Sequence, residues 1–251
     1  MMEERISSRK NALLLQVKKL LSSKKEREAA GLFVSDGTKL LEEAVKHDAD
    51  NLQTVILSEG VEASVPDHVR LVRVPGDVMA SISPMESPQG ALFLCRLPEQ
   101  KKFIPQKGML ILDGIQDPGN VGTILRTADA LEVPLVLLEG CADPYSHKVV
   151  RSSMGAVFRS DVIRSTWAEV HAACRAAGIP VAVTALSARA QDIRRADLRE
   201  MAVVIGSEGR GVRSEILDAA DMELIIPMNP RCESLNAAVA ASIVMWEITQ
   251  L

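Results

Sequence analysis

The sequence predicts an α/β protein in two parts, on three observations. Short apolar runs alternate with helix-length segments along most of the 251 residues. Residues 98–108 (PEQKKFIPQKG), polar, with two prolines and a closing glycine, interrupt that alternation as a linker would. Beyond the linker, three apolar runs are each followed by a polar loop containing glycine or proline. Loops of that kind sit at the carboxyl ends of parallel strands, where open α/β sheets bind ligands.

Taken in order, residues 9–21 set Leu13, Leu14, Val17, Leu20 and Leu21 at helical spacing among lysines, the pattern of an amphipathic helix. Leu32-Phe33-Val34 predicts a short strand and residues 38–46 a helix. Residues 55–57, 71–74 and 91–94 predict further short strands. Residues 1–97 thus form a small α/β unit. After the linker, residues 109–251 read as strand 109–112, helix 121–131, strand 135–138, an extended Val162-Ile163, helix 167–177, and strands 180–184 and 202–205. Helix 214–219, strand 224–226 ended by Pro227, and a long helix 234–249 complete the chain. Short apolar strands separated by helices imply a mostly parallel sheet covered on both faces. No internal repeat or low-complexity tract interrupts it.

The apolar fraction of 47% supports a real core, and no apolar run is long enough to span a bilayer. Residues 1–10 are polar and charged with no signal-peptide core behind them, so the expected location is the cytoplasm, with no membrane partner. Cys95, Cys141, Cys174 and Cys232 lie far apart, with no C-x-x-C pair and no Cys/His cluster at ligand spacing. They read as reduced thiols, and no metal is expected. The net charge is −4 and the isoelectric point about 5.7, which excludes a chain that is basic throughout. Residues 1–30, however, hold eight Lys/Arg against four Glu. Such a segment suits contact with phosphate, or else is a solvated helix face.

The first loop of interest is Asp113-Gly114-Ile115-Gln116-Asp117-Pro118-Gly119-Asn120-Val121-Gly122, leading into Arg126. Asn120 is expected near the cap, ahead of the helix proper, so that it and Arg126 face one ligand; alone, this is a turn with a surface arginine. The second is Ile205-Gly206-Ser207-Glu208-Gly209-Arg210-Gly211. Its glycines admit close backbone approach. It is neither G-x-G-x-x-G nor a P-loop, and Glu208 would repel a phosphate, so it suits an uncharged or cationic ligand. Seen alone it is also an ordinary tight turn. The third runs Ile226-Pro227-Met228-Asn229-Pro230, then Glu233-Ser234-Leu235-Asn236-Ala237-Ala238-Val239-Ala240, with a helix expected to begin near Ser234. Free N–H groups at that helix start could bind an acceptor, or Ser234 could be a plain cap.

Together and in this order, N-x-G-x-x-x-R, I-G-S-E-G-x-G and I-P-M followed by E-S-L-N-A-A-V-A resemble the three motifs of the SpoU (TrmH-like) family of the SPOUT superfamily. The resemblance covers residues 109–251. A second one links residues 31–44 (GLFVSDGTKLLEEA) and Ser87-Pro88-Gln89-Gly90 to that family's N-terminal substrate-binding domain. It implies a methyltransferase domain with a trefoil knot, a homodimer, and transfer of a methyl group from S-adenosylmethionine to a ribose 2′-hydroxyl of RNA, ribosomal RNA before transfer RNA. It implies a cofactor site of Leu186, Gly206, Ile226, Met228 and Leu235, near residues 184–186, and a catalytic set of Asn120, Arg126, Glu208, Ser234 and Asn236. Residues 148–156 resemble a family segment near the substrate entrance, where Arg151 is either a phosphate contact or a plain exposed arginine. Few aromatics, four Phe, two Trp and one Tyr, leave RNA recognition to phosphate and shape rather than base stacking. The alternatives are a tRNA ribose methyltransferase and a non-catalytic RNA-binding or ribosome-assembly factor on the same fold. The missing dinucleotide fingerprint argues against a Rossmann-type dehydrogenase. The sequence names neither the modified nucleotide nor the proton acceptor.

Overall fold

The computed structural model describes residues 3–229 and 231–250; Pro230 of the third motif lies outside them. The elements are β1 (Glu3–Arg5), α1 (Ala12–Ser22), α2 (Lys24–Ala30), β2 (Leu32–Asp36), α3 (Thr38–His47), β3 (Leu52–Ser58), β4 (Arg70–Val74), α4 (Gly76–Ile82) and β5 (Ala91–Arg96). There follow β6 (Met109–Asp113), α5 (Pro118–Leu131), β7 (Leu135–Leu137), α6 (His147–Ser152), β8 (Ile163–Arg164), α7 (Trp167–Ala177) and β9 (Val181–Thr184). The last are β10 (Gln191–Asp192), β11 (Ala202–Gly206), α8 (Ser214–Ala219), β12 (Met222–Ile225) and α9 (Ala237–Thr249). By contacts the chain forms two units: the residues as far as Glu99 with Asp143–Arg159, and Gln100–Ala142 with the residues from Ser160 onward.

The first unit is a five-stranded mixed sheet in the order β1-β4-β3-β5-β2, with β3 and β2 antiparallel to β5 and the β1–β4 and β3–β4 pairs parallel. Helix α1 buries Leu13, Leu14, Val17 and Leu20, the stripe that its spacing predicts, against Val34, Ile56, Val72 and Leu94 of the sheet. The Asn11 side chain caps it by accepting from the Leu13 N–H at 2.9 Å. Three elements were not expected. Strand β1 is charged, and its sequence carries no apolar signal; backbone pairing with β4 and the ion pairs Arg70–Glu4 (2.6 Å) and Arg73–Glu3 (2.5 Å) hold it. Helix α2 (KKEREAA) lacks an apolar stripe; Ser23 caps it, and Gly31, at φ +65°, ends it. Helix α4 is too short for its buried Val78, Met79 and Ile82 to show a period.

Packing also joins one later segment to the first unit. Residues 143–159 fall inside the stretch assigned to the C-terminal domain, but they pack with the first unit. Phe33 and Phe93 are fully buried there, with ring centroids 5.2 Å (Phe33–Tyr145) and 6.1 Å (Phe33–Phe158 and Phe93–Phe158) apart. Aromatic faces of that size must be covered, and the cover comes from a distant part of the chain that no local pattern marks. Buried Arg27 donates to Asp143 at 2.6 Å and to the Leu20 carbonyl at 2.6 Å. On the same segment, His147 and Arg151 both meet the buried carboxylate of Asp36, at 2.5 and 3.0 Å.

The second unit is a seven-stranded, wholly parallel sheet in the order β10-β12-β9-β11-β6-β7-β8. Its middle strands are buried, as a sheet covered on both faces requires: all five residues of β6 are buried, four of them apolar and the last Asp113, as are the first four of β11. Trp167, Val170 and Cys174 of α7 and Ile216 of α8 pack on one face. Helices α5 and α9 pack on each other. Among the described residues no helix is long and apolar enough to cross a membrane.

Candidate active site

The three motif loops all leave the sheet at strand carboxyl ends, as expected, but two helix starts differ from expectation. Helix α5 begins at Pro118, because Asp117 caps it, accepting from the Asn120 N–H at 2.8 Å, and proline suits the first helical position. Asn120 therefore lies in the first turn rather than ahead of the helix, and it still lines the same cavity as Arg126. Helix α9 begins at Ala237 rather than at Ser234. Its cap is Asn236, whose Oδ1 accepts from the Ala238 and Val239 N–H groups at 2.9 and 3.2 Å. Ser234 stays exposed in the preceding loop, and Ile226 follows the end of β12 instead of belonging to it.

Gly206 closes β11 where no side chain fits: a Cβ there would lie 2.1 Å from the Gly211 carbonyl carbon. The chain turns back on itself, with Ser207 and Gly211 exchanging backbone hydrogen bonds of 3.2 and 2.8 Å. This carries Glu208 to Asn120, whose Nδ2 donates to the Glu208 carboxylate. Asn120 Oδ1 in turn accepts from Asn236 Nδ2 at 3.0 Å. Because the α9 N–H groups fix Asn236 Oδ1 as an acceptor, every amide in this chain has one consistent orientation, ending on Glu208 as acceptor. One residue from each of the three motifs is thereby joined.

Two cavities meet at that junction. The first, about 620 Å³, is lined by Leu186, Gly206, Glu208, Ile226, Met228, Ser234 and Leu235, among others. It lies within the roughly 300–1,000 Å³ span of small-molecule sites. Its other carboxylates are Asp218 and Glu223, and Glu223 is held by the Ser187 hydroxyl and by Arg189 at 2.5 Å. The second cavity, about 700 Å³, holds Asn120, Arg126 and Asn236 with Thr123, Thr127 and Trp246. Arg126 is exposed and has no ion pair among the described residues. Thus the expected cofactor residues line one cavity, and the catalytic set divides between the two. Arg151, by contrast, belongs to the first unit and is already bonded to Asp36.

Sequence reasoning passed over Asp113 and Arg213. The Asp113 side chain is buried, yet it takes both the backbone N–H and the Nε of Arg213, at 2.8 and 2.6 Å. Burial is the largest single influence on Arg213 and works against its charge; the bond to Asp113 and the attraction of Asp113, Glu215 and Glu139 together outweigh it, raising the pKa. An aspartate closing an apolar run was a legible signal, but its partner, 100 residues away, was not.

The model of the SpoU rRNA methylase family matches residues 107–246, the stretch that carries all three loops. The chain belongs to the SpoU rRNA methylase family. An MRM3-like substrate-binding domain model matches residues 11–92. Over 249 residues the chain is 33% identical to the 23S rRNA (guanosine(2553)-2′-O)-methyltransferase RlmP of Bacillus subtilis, covering 98% of this chain and 99% of that one. Among solved structures it is similar to an AdoMet-bound rRNA methyltransferase from Sinorhizobium meliloti, with a TM-score of 0.85, 27% identity, and coverage of 98% and 97% of the two chains. It is also similar to the SpoU methyltransferase AviRb of Streptomyces viridochromogenes in complex with AdoMet, with a TM-score of 0.81, 26% identity, and coverage of 95% and 98%.

For a SpoU methylase the first cavity fits S-adenosylmethionine on its own chemistry. Glycine backbone and the apolar side chains of Ile226, Met228 and Leu235 suit an adenine and an aliphatic arm, and the lining carboxylates of Glu208 and Asp218, which carry no ion pair among the described residues, suit a sulfonium cation.

Proposed function

We propose that this chain transfers a methyl group from S-adenosylmethionine to a ribose 2′-hydroxyl of ribosomal RNA. The observation that carries the reading is the Asn120–Glu208 contact, where a carboxylate-bearing cavity meets a second one holding Arg126, which has no ion pair among the described residues. Cofactor and nucleotide would bind on either side of that contact.

Leu186, Gly206, Ile226, Met228 and Leu235 would hold the cofactor. When bound, S-adenosylmethionine supplies an electrophilic methyl group for in-line displacement. Arg126 would grip the phosphate beside the target ribose and orient the hydroxyl. It acts through its charge and fork rather than as a base, since a guanidinium stays protonated in proteins; the hydroxyl proton would pass to the phosphate or another group as the methyl leaves the sulfur. Asn120 and Asn236 keep the two loops and α9 in register. Glu208 and Ser234 position the nucleotide from the cofactor side. The N-terminal domain, residues 1–97, joined through the 98–108 linker to the methyltransferase domain of residues 109–251, would bind the RNA. The relative RlmP, named for a 23S rRNA nucleotide, supports ribosomal RNA over transfer RNA. A cytoplasmic homodimer with a knotted methyltransferase domain completes the reading; the exposed Val239 and Trp246 along the second cavity suit a second copy.

The test is transfer of labelled methyl groups to total RNA lacking this modification. Label is expected in ribosomal RNA as 2′-O-methylribose. Arg126→Ala should bind cofactor normally and turn over at least about 100-fold more slowly. Arg126→Lys keeps the charge without the fork and should recover less than about a tenth of the activity; near-normal turnover there removes the geometric role. Label confined to transfer RNA would overturn the ribosomal assignment. Cofactor binding with no labelled RNA would favour a binding or assembly factor.

A further inference from the structure

The structure assigns Asp113 and Arg213 a positioning role: they form a staple that closes the Gly206–Val212 loop and fixes where Glu208 sits. In the parallel register of β6 and β11, Asp113 lies beside Gly206, the residue at which the loop leaves the sheet. The loop returns to the same carboxylate through Arg213, whose N–H meets Oδ2 and whose Nε meets Oδ1. One buried side chain thus marks both the start and the end of the excursion. Within it, the Ser207–Gly211 pair leaves Glu208 at the tip.

Asp113 is also the first residue of the loop that leads to Asp117 and α5, and so to Asn120. Both partners of the Asn120–Glu208 contact therefore depend on Asp113, one along the chain and one through Arg213. The outer guanidinium nitrogens face Glu215 at 3.0 Å and Glu139 at 3.6 Å, which restrains the side chain from the solvent side. A buried carboxylate stripped of its donors is costly, so the pair holds its geometry firmly. Neither residue touches the reacting atoms; each acts through Glu208.

The activity arm of the test rests on the methyl-transfer reading, and the exchange arm does not. Arg213→Met removes the Nε donor. Arg213→Gln places an amide nitrogen at the same distance along the side chain and keeps it. In the unliganded protein, Arg213→Met should speed amide hydrogen exchange at Ser207 and Gly211 at least tenfold while Ile111 and Val204 stay protected. Arg213→Gln should stay within threefold of the original rates. Unchanged exchange in the Met variant, or equal loss in the Gln variant, overturns the staple. For methyl transfer, Arg213→Met should lower turnover at least tenfold, with Arg213→Gln restoring most of it. Added to Glu208→Gln, it should cost less than a further twofold, because the staple acts through that residue. Additive losses would overturn action through Glu208. A wild-type protein that labels no RNA would defeat the methyl-transfer reading and leave the exchange result to decide the staple.

Discussion

The four cysteines differ in surroundings more than in sequence context. Cys95 and Cys174 are buried, Cys141 is partly buried, and Cys232 is exposed on the loop ahead of α9. Burial pushes the Cys141 and Cys174 thiols up to about 11, and Cys95 higher still. The thiolate is the reactive form, so a thiol with a raised pKa stays neutral and inert until the pH approaches that value. At pH 8 a thiol-titrating aromatic disulfide should therefore react rapidly with one group per native chain, and with four in denaturant. Loss of the fast phase in Cys232→Ser would confirm the site. A second fast native thiol would mean that the fold opens around Cys141 or Cys174 more readily than their packing implies.

At the level of elements, Asn236 serves two structures at once, since its Oδ1 caps α9 and its Nδ2 bridges to Asn120. Substitution can separate the two. Asn236→Ala should cost about 1 kcal/mol of stability, the usual worth of a cap. Asn236→Asp keeps the capping oxygen, with a charge favourable at a helix start, and should unfold within roughly 0.5 kcal/mol of the original. It loses the donor to Asn120 and sets a carboxylate against the Asn120 oxygen, so methyl transfer should fall at least about tenfold in both variants. Normal turnover in the Asp variant would reduce the bridge to a bystander. Elements were legible where a period or a bounded apolar run existed: α1, α7 and the central strands appear where their residues place them. The start of α5 was missed because Asp117 caps it three residues ahead of Asn120, and that of α9 because Asn236 outcompetes Ser234. The motif residues were legible through their resemblance as a set. That Asn120 would bond both Glu208 and Asn236, or that Arg213 would reach Asp113, depends on register between distant strands, which no local pattern records.

Over the whole molecule, charge divides unevenly, with a net +4 in residues 1–30 against −8 in the remainder. The fold sorts those eight cations. Arg5 pairs with Glu59, Arg9 with Asp77, Lys24 with Glu28, and Arg27 with Asp143. Lys10, Lys18, Lys19 and Lys25 remain exposed, with no ion pair among the described residues. An acidic protein that must hold a polyanion has to concentrate its attraction locally, and these four lysines on the first unit offer one such place. Counterion release makes such contacts measurable as a slope: each phosphate neutralised contributes roughly 0.7–0.9 to the fall of log affinity with log salt. Replacing all four with glutamine should flatten that slope for RNA by about 3. The KM for RNA should rise, while cofactor affinity and turnover at saturating RNA stay within threefold, because the lysines lie outside the unit that holds both cavities. An unchanged slope would return the basic segment to a solvated helix face and shift RNA attraction to other cations, Arg126 foremost. A changed turnover with an unchanged slope would mean that the substitutions act on folding of α1 and α2 rather than on phosphate, which their unaltered thermal unfolding would exclude.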